Sequence, residues 1–480
     1  MKCLLYIAGD VNNYNPVRYI INGREEFTFI AAHALSQVLN PDRVVALLPD
    51  SLIVEEGNSV NVDNLVKAYR DLLRKRASKL QSQLSEDKQK GLEEFIQKME
   101  VRYIPNIGVG SATLSRNGEV VVNEDGKNGG GVVKKPYKRE GNPTFVFNVI
   151  YSVFKELESD DCDEFLVDLT HGTNVLVSIT LSVGSLFNSS FFSAPVIGNP
   201  GTQEVRVLDL TEVVKATKDS LMISSSIEKL DERYFKDYSS SLRGLNPNTF
   251  NGDEVYVIKN IKGADPGKVI NLLRDIRNGF SVNAMRDIED VNENIESIKQ
   301  DVDKLRSFFS EWYKHQTLDV REIVLSNFYS TFKVERITSN MEDDITSLMK
   351  LLKLYIDASM YDKAFSLARE LPVAFCMKLR GGGTFDAEDN KYEKCDNLVT
   401  SYFNSYHSEV LKYRNVLMHG GLSIDLKVNV SPDGKLSISK ENQIRLGRLE
   451  EESKKLENYE EEIMNEIKNV GESGNESKNK

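Results

Sequence analysis

The sequence predicts a Rossmann-like, doubly wound α/β sheet domain followed by a helical domain. Two observations carry this. Over residues 1–215, unbroken apolar runs of strand length alternate with helical patterns, the signature of a mainly parallel sheet buried on both faces. Beyond about residue 215, apolar residues recur at three- and four-residue spacing, and helices dominate. A chain of 480 residues exceeds one ordinary core. The expected division is 1–215 as the α/β domain with an insertion at 106–141, 216–340 as a helical linker or dimerisation region, 341–470 as a second helical domain, and 471–480 as a disordered tail.

The elements follow in order. Residues 2–8 read as a buried strand; the run is too short for a signal peptide and Asp10 follows it. Residues 25–38 read as a helix, 43–49 as a strand, 62–97 as a helical pair broken near Ser85, and 101–105 as a strand. Residues 106–141 are polar and Gly-rich, with Asn117-Gly118 as a hairpin signal, and read as a surface insertion. Asn142 and Pro143 suit an N-cap and first helical position, opening a helix to about 157. A strand at 165–169, a helix at 172–186 and strands at 191–196 and 204–210 complete the sheet.

In the second half, residues 255–258 read as a strand, and Asp265-Pro266 opens a helix. Met285, Ile288, Val291, Ile295, Ile298, Val302 and Leu305 form the seam of one long amphipathic helix, suited to packing on another helix and expected to seek a second copy. Helices at 341–356, 361–379 and 397–418, a hairpin at 426–438 and a charged helix at 441–469 follow.

Composition narrows the function. Net charge is −12, without the basic excess that phosphate contacts demand of a dedicated duplex-DNA binder. The clusters at 70–76 and 134–139 read first as solvated surface. No run of about 18 apolar residues exists to span a membrane. The four cysteines lie far apart without a Cys-x-x-Cys pair, so neither a zinc site nor a disulfide framework is expected, and a cytoplasmic setting fits.

Two constellations carry chemistry. Asp168-Leu169-Thr170-His171-Gly172-Thr173-Asn174 stands where a strand turns into a helix, at the end of a sheet where ligands bind. A helix N-terminus presents free N–H groups and a positive dipole end to phosphates. Thr170, Thr173 and Asn174 add side-chain donors, and Gly172 admits a close backbone approach. The first strand ends in a matching loop with Gly9, Asp10 and Asn12, and together the two loops suit a ribose-phosphate backbone. The plainer reading makes Thr170 a helix cap and His171 a structural histidine. A dinucleotide fingerprint fails, because Gly9-Asp10-Val11 lacks the second glycine.

The second constellation is Tyr413-Arg414-Asn415-Val416-Leu417-Met418-His419-Gly420-Gly421, closing a helix with Gly420 as C-cap. Metal-free RNA cleavage needs a proton-transfer group, which His419 suits, and a permanent cation on the phosphate, which Arg414 suits. A five-residue offset turns the two side chains roughly 140° apart on a helix, so a cleft shared with a second copy is easier to build. His33, His315 and His407 read as structural, with His407 a remote candidate helper.

Taken together and in this order, the two motifs make the chain resemble the CRISPR-associated ancillary ribonucleases of type III systems, which join a CARF sensor domain to a HEPN nuclease domain. The 168–174 segment resembles the CARF ligand loop, and 414–419 resembles the HEPN signature. The resemblance implies activation by a cyclic oligoadenylate, with cyclic tetra-adenylate the expected ring, bound across the two-fold axis of a homodimer that could assemble further. It implies metal-independent cutting of single-stranded RNA to a 2′,3′-cyclic phosphate. It makes Arg414 and His419 catalytic with Asn415 in support, and Gly9, Asp10, Thr170, His171, Gly172, Thr173 and Asn174 effector contacts; no metal or further cofactor is expected. The alternatives are a non-enzymatic CARF-type regulator, which would need a basic recognition helix that the region after 215 lacks, and an α/β-domain enzyme acting on its own effector.

Overall fold

The computed structural model describes residues 1–11, 14–54, 62–79, 81–112, 114–115, 135–195, 204–235, 246–263, 266–311, 314, 337, 344–422, 426–432, 435–439 and 446–476. They form two compact units, Met1–Lys215 and Ala216–Lys480.

In the first unit the strands are β1 (Lys2–Ile7), β2 (Val17–Ile21), β3 (Arg24–Thr28), β4 (Arg43–Pro49), β5 (Ile53–Val54), β6 (Glu100–Ile104), β7 (Gly108–Ala112), β8 (Leu114–Ser115), β9 (Lys135–Arg139), β10 (Glu164–Asp168), β11 (Ser189–Ser193), β12 (Glu204–Arg206) and β13 (Leu208–Asp209). The helices are α1 (Ala31–Leu39), α2 (Val62–Lys79), α3 (Glu86–Lys98), α4 (Pro143–Ser159) and α5 (Asn174–Gly184). The main sheet runs β13-β11-β10-β1-β4-β6 and is parallel except for β13. Strand alternation splits its core in two. Leu4, Tyr6, Ala46 and Leu48 pack toward α1, α2 and α3, while Leu5, Ile7, Val45, Leu47 and Val167 pack toward α4 and α5. Both faces are covered, which is why the strands read as unbroken apolar runs.

The helix expected at 25–38 is instead β3 followed by α1. Asn22-Gly23, with φ of 50° and 78°, turns β2 back onto β3 in register Ile21↔Arg24, a two-residue hairpin that outweighs helical patterning. The strand expected at 204–210 divides: β12 joins β2 in a three-stranded sheet, and β13 joins the main sheet. At the 106–141 insertion, β7 pairs antiparallel with β9, and Asn117-Gly118 lies outside the described residues.

The second unit contains α6 (Thr211–Glu228, which begins in the first), α7 (Asp253–Gly263), α8 (Pro266–Asn278), α9 (Ser281–Ser310), α10 (Asp344–Asp357), α11 (Tyr361–Leu379), α12 (Asn390–Tyr406), α13 (Ser408–Met418), the small β14 (Asn429–Val430) and β15 (Leu436–Ser437) pair, α14 (Leu446–Ser453) and α15 (Leu456–Glu476). The strand expected at 255–258 is helical in α7. Val257, Ile258 and Ile261 are buried at helical spacing, so tertiary burial overrides the local β preference of Val-Tyr-Val-Ile. The seam of α9 is buried from Ile288 to Leu305 in the unit's own core, with α7, α8 and α10 against the helix. It is therefore not a surface seeking a second copy. The helix expected at 397–418 is two, broken at His407, and α15 continues to Glu476, helical where a disordered tail is expected from 471.

The cysteines correct another expectation. Cys3 at the start of β1 bonds Cys162 just before the neighbouring β10, with Cα atoms 5.9 Å apart. Cys376 of α11 bonds Cys395 of α12, with Cα atoms 5.7 Å apart. Sequence spacing cannot see these pairs, because sheet order and helix packing make them neighbours. Protein purified without reductant and then denatured should show no reactive thiol to a maleimide, and four after reduction. Reduction should cost about 3 kcal/mol per bridge in a denaturant melt. Four reactive thiols before reduction would contradict the pairing.

Candidate functional site

The carboxyl ends of β1, β4, β6 and β10 converge in one polar knot. Asp168 closes β10; its Oδ1 accepts from Thr170 N at 2.9 Å, and Oδ2 has no partner among the described residues. Burial pushes its carboxyl up to about 6. Thr170 is not the helix cap: its Oγ1 accepts from Ala194 N at 2.9 Å, tying the loop to the end of β11. Thr173 is the cap of α5, its hydroxyl accepting from Leu176 N and donating to Asn106 Oδ1 at 3.2 Å. Asn106 is itself held by Asp50 and Ser51 at the end of β4, and Arg139 of β9 pairs with Asp50.

Gly172, Thr173 and Asn174 are exposed at the N-terminus of α5. Gly172 has φ of 118°, and a Cβ there would meet Ile7 Cγ2 at 2.9 Å, so β1's own core demands this glycine before any ligand does. A Cβ at Gly9 would collide with the Tyr14 hydroxyl. Tyr14 stacks on His171, ring centroids 4.3 Å apart, so the loops after β1 and β10 meet through these rings. Arg76 of α2 donates to the Tyr14 carbonyl at 2.8 Å. Burial pushes His171 down to about 4 and keeps its ring neutral at pH 7. Asp10 is half-buried, and Asn12 lies outside the described residues. Asp50, Asn106 and Arg76 escaped sequence reasoning, because only sheet order brings them near 168–174, whereas Tyr14 belongs to the loop after the first strand, which the sequence already sets beside that segment. The cluster at 70–76 is spent internally: Arg70 on the Met99 carbonyl, Arg74 on Glu93 and Arg76 on Tyr14.

In the second unit, α13 ends at Met418 with His419 as its C-cap. Gly420 and Gly421, at φ of 59° and 81°, return N–H bonds to the carbonyls of Leu417 and Val416, a glycine-made helix stop that leaves His419 exposed. Arg414 has its Nη2 3.6 Å from Glu370 Oε1 on α11. Glu370 also accepts from Arg369 at 2.9 Å, and Arg369 pairs with Asp396 and donates to Thr400 on α12 at 3.2 Å. Acid and base thus alternate along Asp396, Arg369, Glu370 and Arg414. Asn415 is half-buried, and its carbonyl accepts from His419 N at 3.1 Å. His407 serves structure: its ring stacks on Tyr459 at 3.9 Å and meets Glu462 at 3.0 Å. His33 is buried against Thr28 at 3.0 Å, and His315 lies outside the described residues. Among the described residues, no group of His, Cys, Asp and Glu is arranged to hold a metal ion, and no helix is long and apolar enough to cross a membrane.

The buried pair in the first knot has opposite pH signatures. Between about pH 4 and 6 folded Asp168 keeps a proton that the unfolded chain has released, so its contribution to stability falls as pH rises through that window. Folded His171 refuses, down to about pH 4, a proton that the unfolded chain takes up near 6.5, so its contribution falls as pH drops. Asp168→Asn should therefore gain on the unaltered protein by up to about 3 kcal/mol as pH rises from 4 to 7, read in denaturant melts at each pH. A difference independent of pH would show that Asp168 titrates alike in both states.

Residues 3–208 match the family model described as the CARF domain of the CRISPR system endoribonuclease Csx1. No curated protein matches the chain. Among solved structures, Enterococcus italicus Csm6 bound to cyclic hexa-2′-fluoro-hexa-dAMP is similar at 10% identity, covering 98% of each chain, with a TM-score of 0.26. The N-terminal unit, with its Rossmann-like parallel sheet and its polar loops at the strand ends, is the part of the chain that is similar to the Csx1 CARF domain.

Proposed function

We propose that the protein is a metal-independent endoribonuclease that cuts single-stranded RNA in CRISPR antiviral defence when a cyclic oligoadenylate occupies its CARF unit. The observation that carries the nuclease reading is the end of α13, where a two-glycine stop leaves His419 exposed and Arg414 is held from behind by Glu370. The imidazole of His419 takes the proton of a ribose 2′-hydroxyl. The freed oxygen attacks the adjacent phosphorus, the 5′-oxygen of the next nucleotide leaves with a proton, and a 2′,3′-cyclic phosphate remains. Arg414 neutralises the charge that builds on the non-bridging oxygens. Asn415 supports the turn through its carbonyl bond to His419 N.

The step needs one group to take a proton and another to give one, yet each copy carries His419 and Arg414 on diverging sides of a helix end. Two copies placing these residues in one cleft supply both, which is the reason for a homodimer. In the CARF unit the exposed N-terminus of α5, with Thr173 and Asn174, suits the phosphates of the ring, and the Tyr14–His171 stack offers an aromatic surface beside it. The ring activates only by binding the active state more tightly, a coupling of ~1–3 kcal/mol in typical cases.

A dose–response curve of labelled-RNA cleavage against cyclic tetra-adenylate, run in EDTA, tests these assignments together. The unaltered protein should cut despite the chelator. His419→Ala should not cut at any dose, while still binding the effector. Asn174→Ala should need about 5- to 150-fold more effector yet approach the same maximal rate. Cleavage restored only by Mg²⁺ would sink the metal-free step, and an unchanged half-maximal dose would remove Asn174 from the effector site.

A further inference from the structure

The face of α11 that holds Arg414 also walls a cavity of about 520 Å³ among the described residues, within the usual range of small-molecule sites. Lys363, Ser366, Leu367, Glu370, Leu371 and Ala374 line it from one stripe of the helix, at spacings of three and four. Leu348 of α10 stands among the residues lining the rest of the cavity, with Val282 at the start of α9 and Phe385 from the loop after α11. Val282 is 81% exposed and Phe385 53%, so the site is open to solvent.

Its chemistry is divided. Leu348, Leu367, Leu371 and Ala374 supply apolar walls, and Phe385 a ring able to stack. Ser366, Lys363 and Glu370 supply polar groups, of which Glu370 is an acceptor only. A flat ligand with apolar faces and N–H donors on its edge fits that set. Two of its lining residues also touch the α13 motif. Glu370 pairs with Arg414, and the Ser366 hydroxyl lies 3.4 Å from Met418 Sδ, next to His419. A phosphate arriving at Arg414 competes with Glu370 for the guanidinium. Glu370 Oε1 then turns to another donor, while Arg369 keeps hold of Oε2.

We propose that this cavity is the base-binding subsite of the nuclease, taking a nucleobase with an exocyclic amino group from the nucleotide whose phosphate sits on Arg414. The inference rests on the ribonuclease reading above and adds what that reading leaves open: the base beside the cut. Single-stranded RNA is commonly read by drawing unstacked bases into such pockets, against side chains that stack on the face and bond the edge. Uracil carries no exocyclic amino group and is disfavoured. Glu370 acts as a positioning residue, holding Arg414 in the resting protein and the base in the complex.

The test is cut-site mapping by sequencing, on RNA of randomised sequence with cyclic tetra-adenylate present. Ala374→Phe fills the cavity from its wall and Val282→Trp from its exposed rim, where folding is least disturbed; thermal melts establish that each variant is folded. The unaltered protein should favour adenine, cytosine or guanine over uracil at one position beside the cut. Both variants should flatten that preference and slow cleavage of the favoured sites about tenfold. If Ala374→Phe does not fold, Val282→Trp decides alone. RNA cleavage with the same base profile and rate in a folded variant overturns the subsite and leaves the ribonuclease reading standing. No RNA cleavage by the unaltered protein overturns both.

Discussion

The contact between Arg414 and Glu370 is the constraint on which the placement of the α13 motif depends. A guanidinium near the end of a helix, beside an exposed histidine, is free to swing into solvent. Glu370 prevents this, and Glu370 is itself held because Arg369, only 12% exposed, is fixed by Asp396 and Thr400. The chain of charges crosses three helices, so the motif on α13 is placed by α11 and α12 more than by its own turn. The Cys376–Cys395 bond joins the same two helices. Removing one member of such a chain leaves a partly buried charge without its partner, which costs more than the surface ion pairs elsewhere on the protein contribute.

The first unit solves a similar problem with hydrogen bonds. Four parallel strands end close together, and their terminal polar groups would be stranded in a buried place without partners. Asp50 and Thr173 hold Asn106, Asp168 accepts from Thr170 N, and the Thr170 hydroxyl accepts from Ala194 N, which binds the loops to the sheet. What remains exposed, at Gly172, Thr173 and Asn174, is the part of the α5 terminus that a polyanionic ring can reach. Asp168, buried with one oxygen without a partner among the described residues, is a point of stored cost in this arrangement.

The sheet was legible in the sequence because strands buried on both faces must be continuously apolar, as residues 2–8, 43–49 and 165–169 are. The helical second half was legible through periodicity, most clearly in α9. Errors fell where long-range packing decides. Residues 25–28 look helical until the turn at Asn22-Gly23 is given its weight, and 255–258 look like a strand until the burial of Val257, Ile258 and Ile261 is known. The seam of α9 is expected to seek a second copy, but it is buried in the core of its own unit. Within the sites, motif residues are visible because their types are unusual in sequence. Their supports are not: Glu370 is one carboxylate among 73, and Asn106 approaches the 168–174 loop only through the order of the strands.

In the proposed nuclease, two copies complete one cleft around His419 and Arg414. The most direct test mixes His419→Ala protein with unaltered protein at a fixed total concentration, allows exchange, and measures effector-stimulated RNA cleavage against the unaltered fraction. A composite cleft that needs a histidine from each copy predicts activity falling with the square of that fraction. A strictly linear fall, each copy cutting alone, would contradict it.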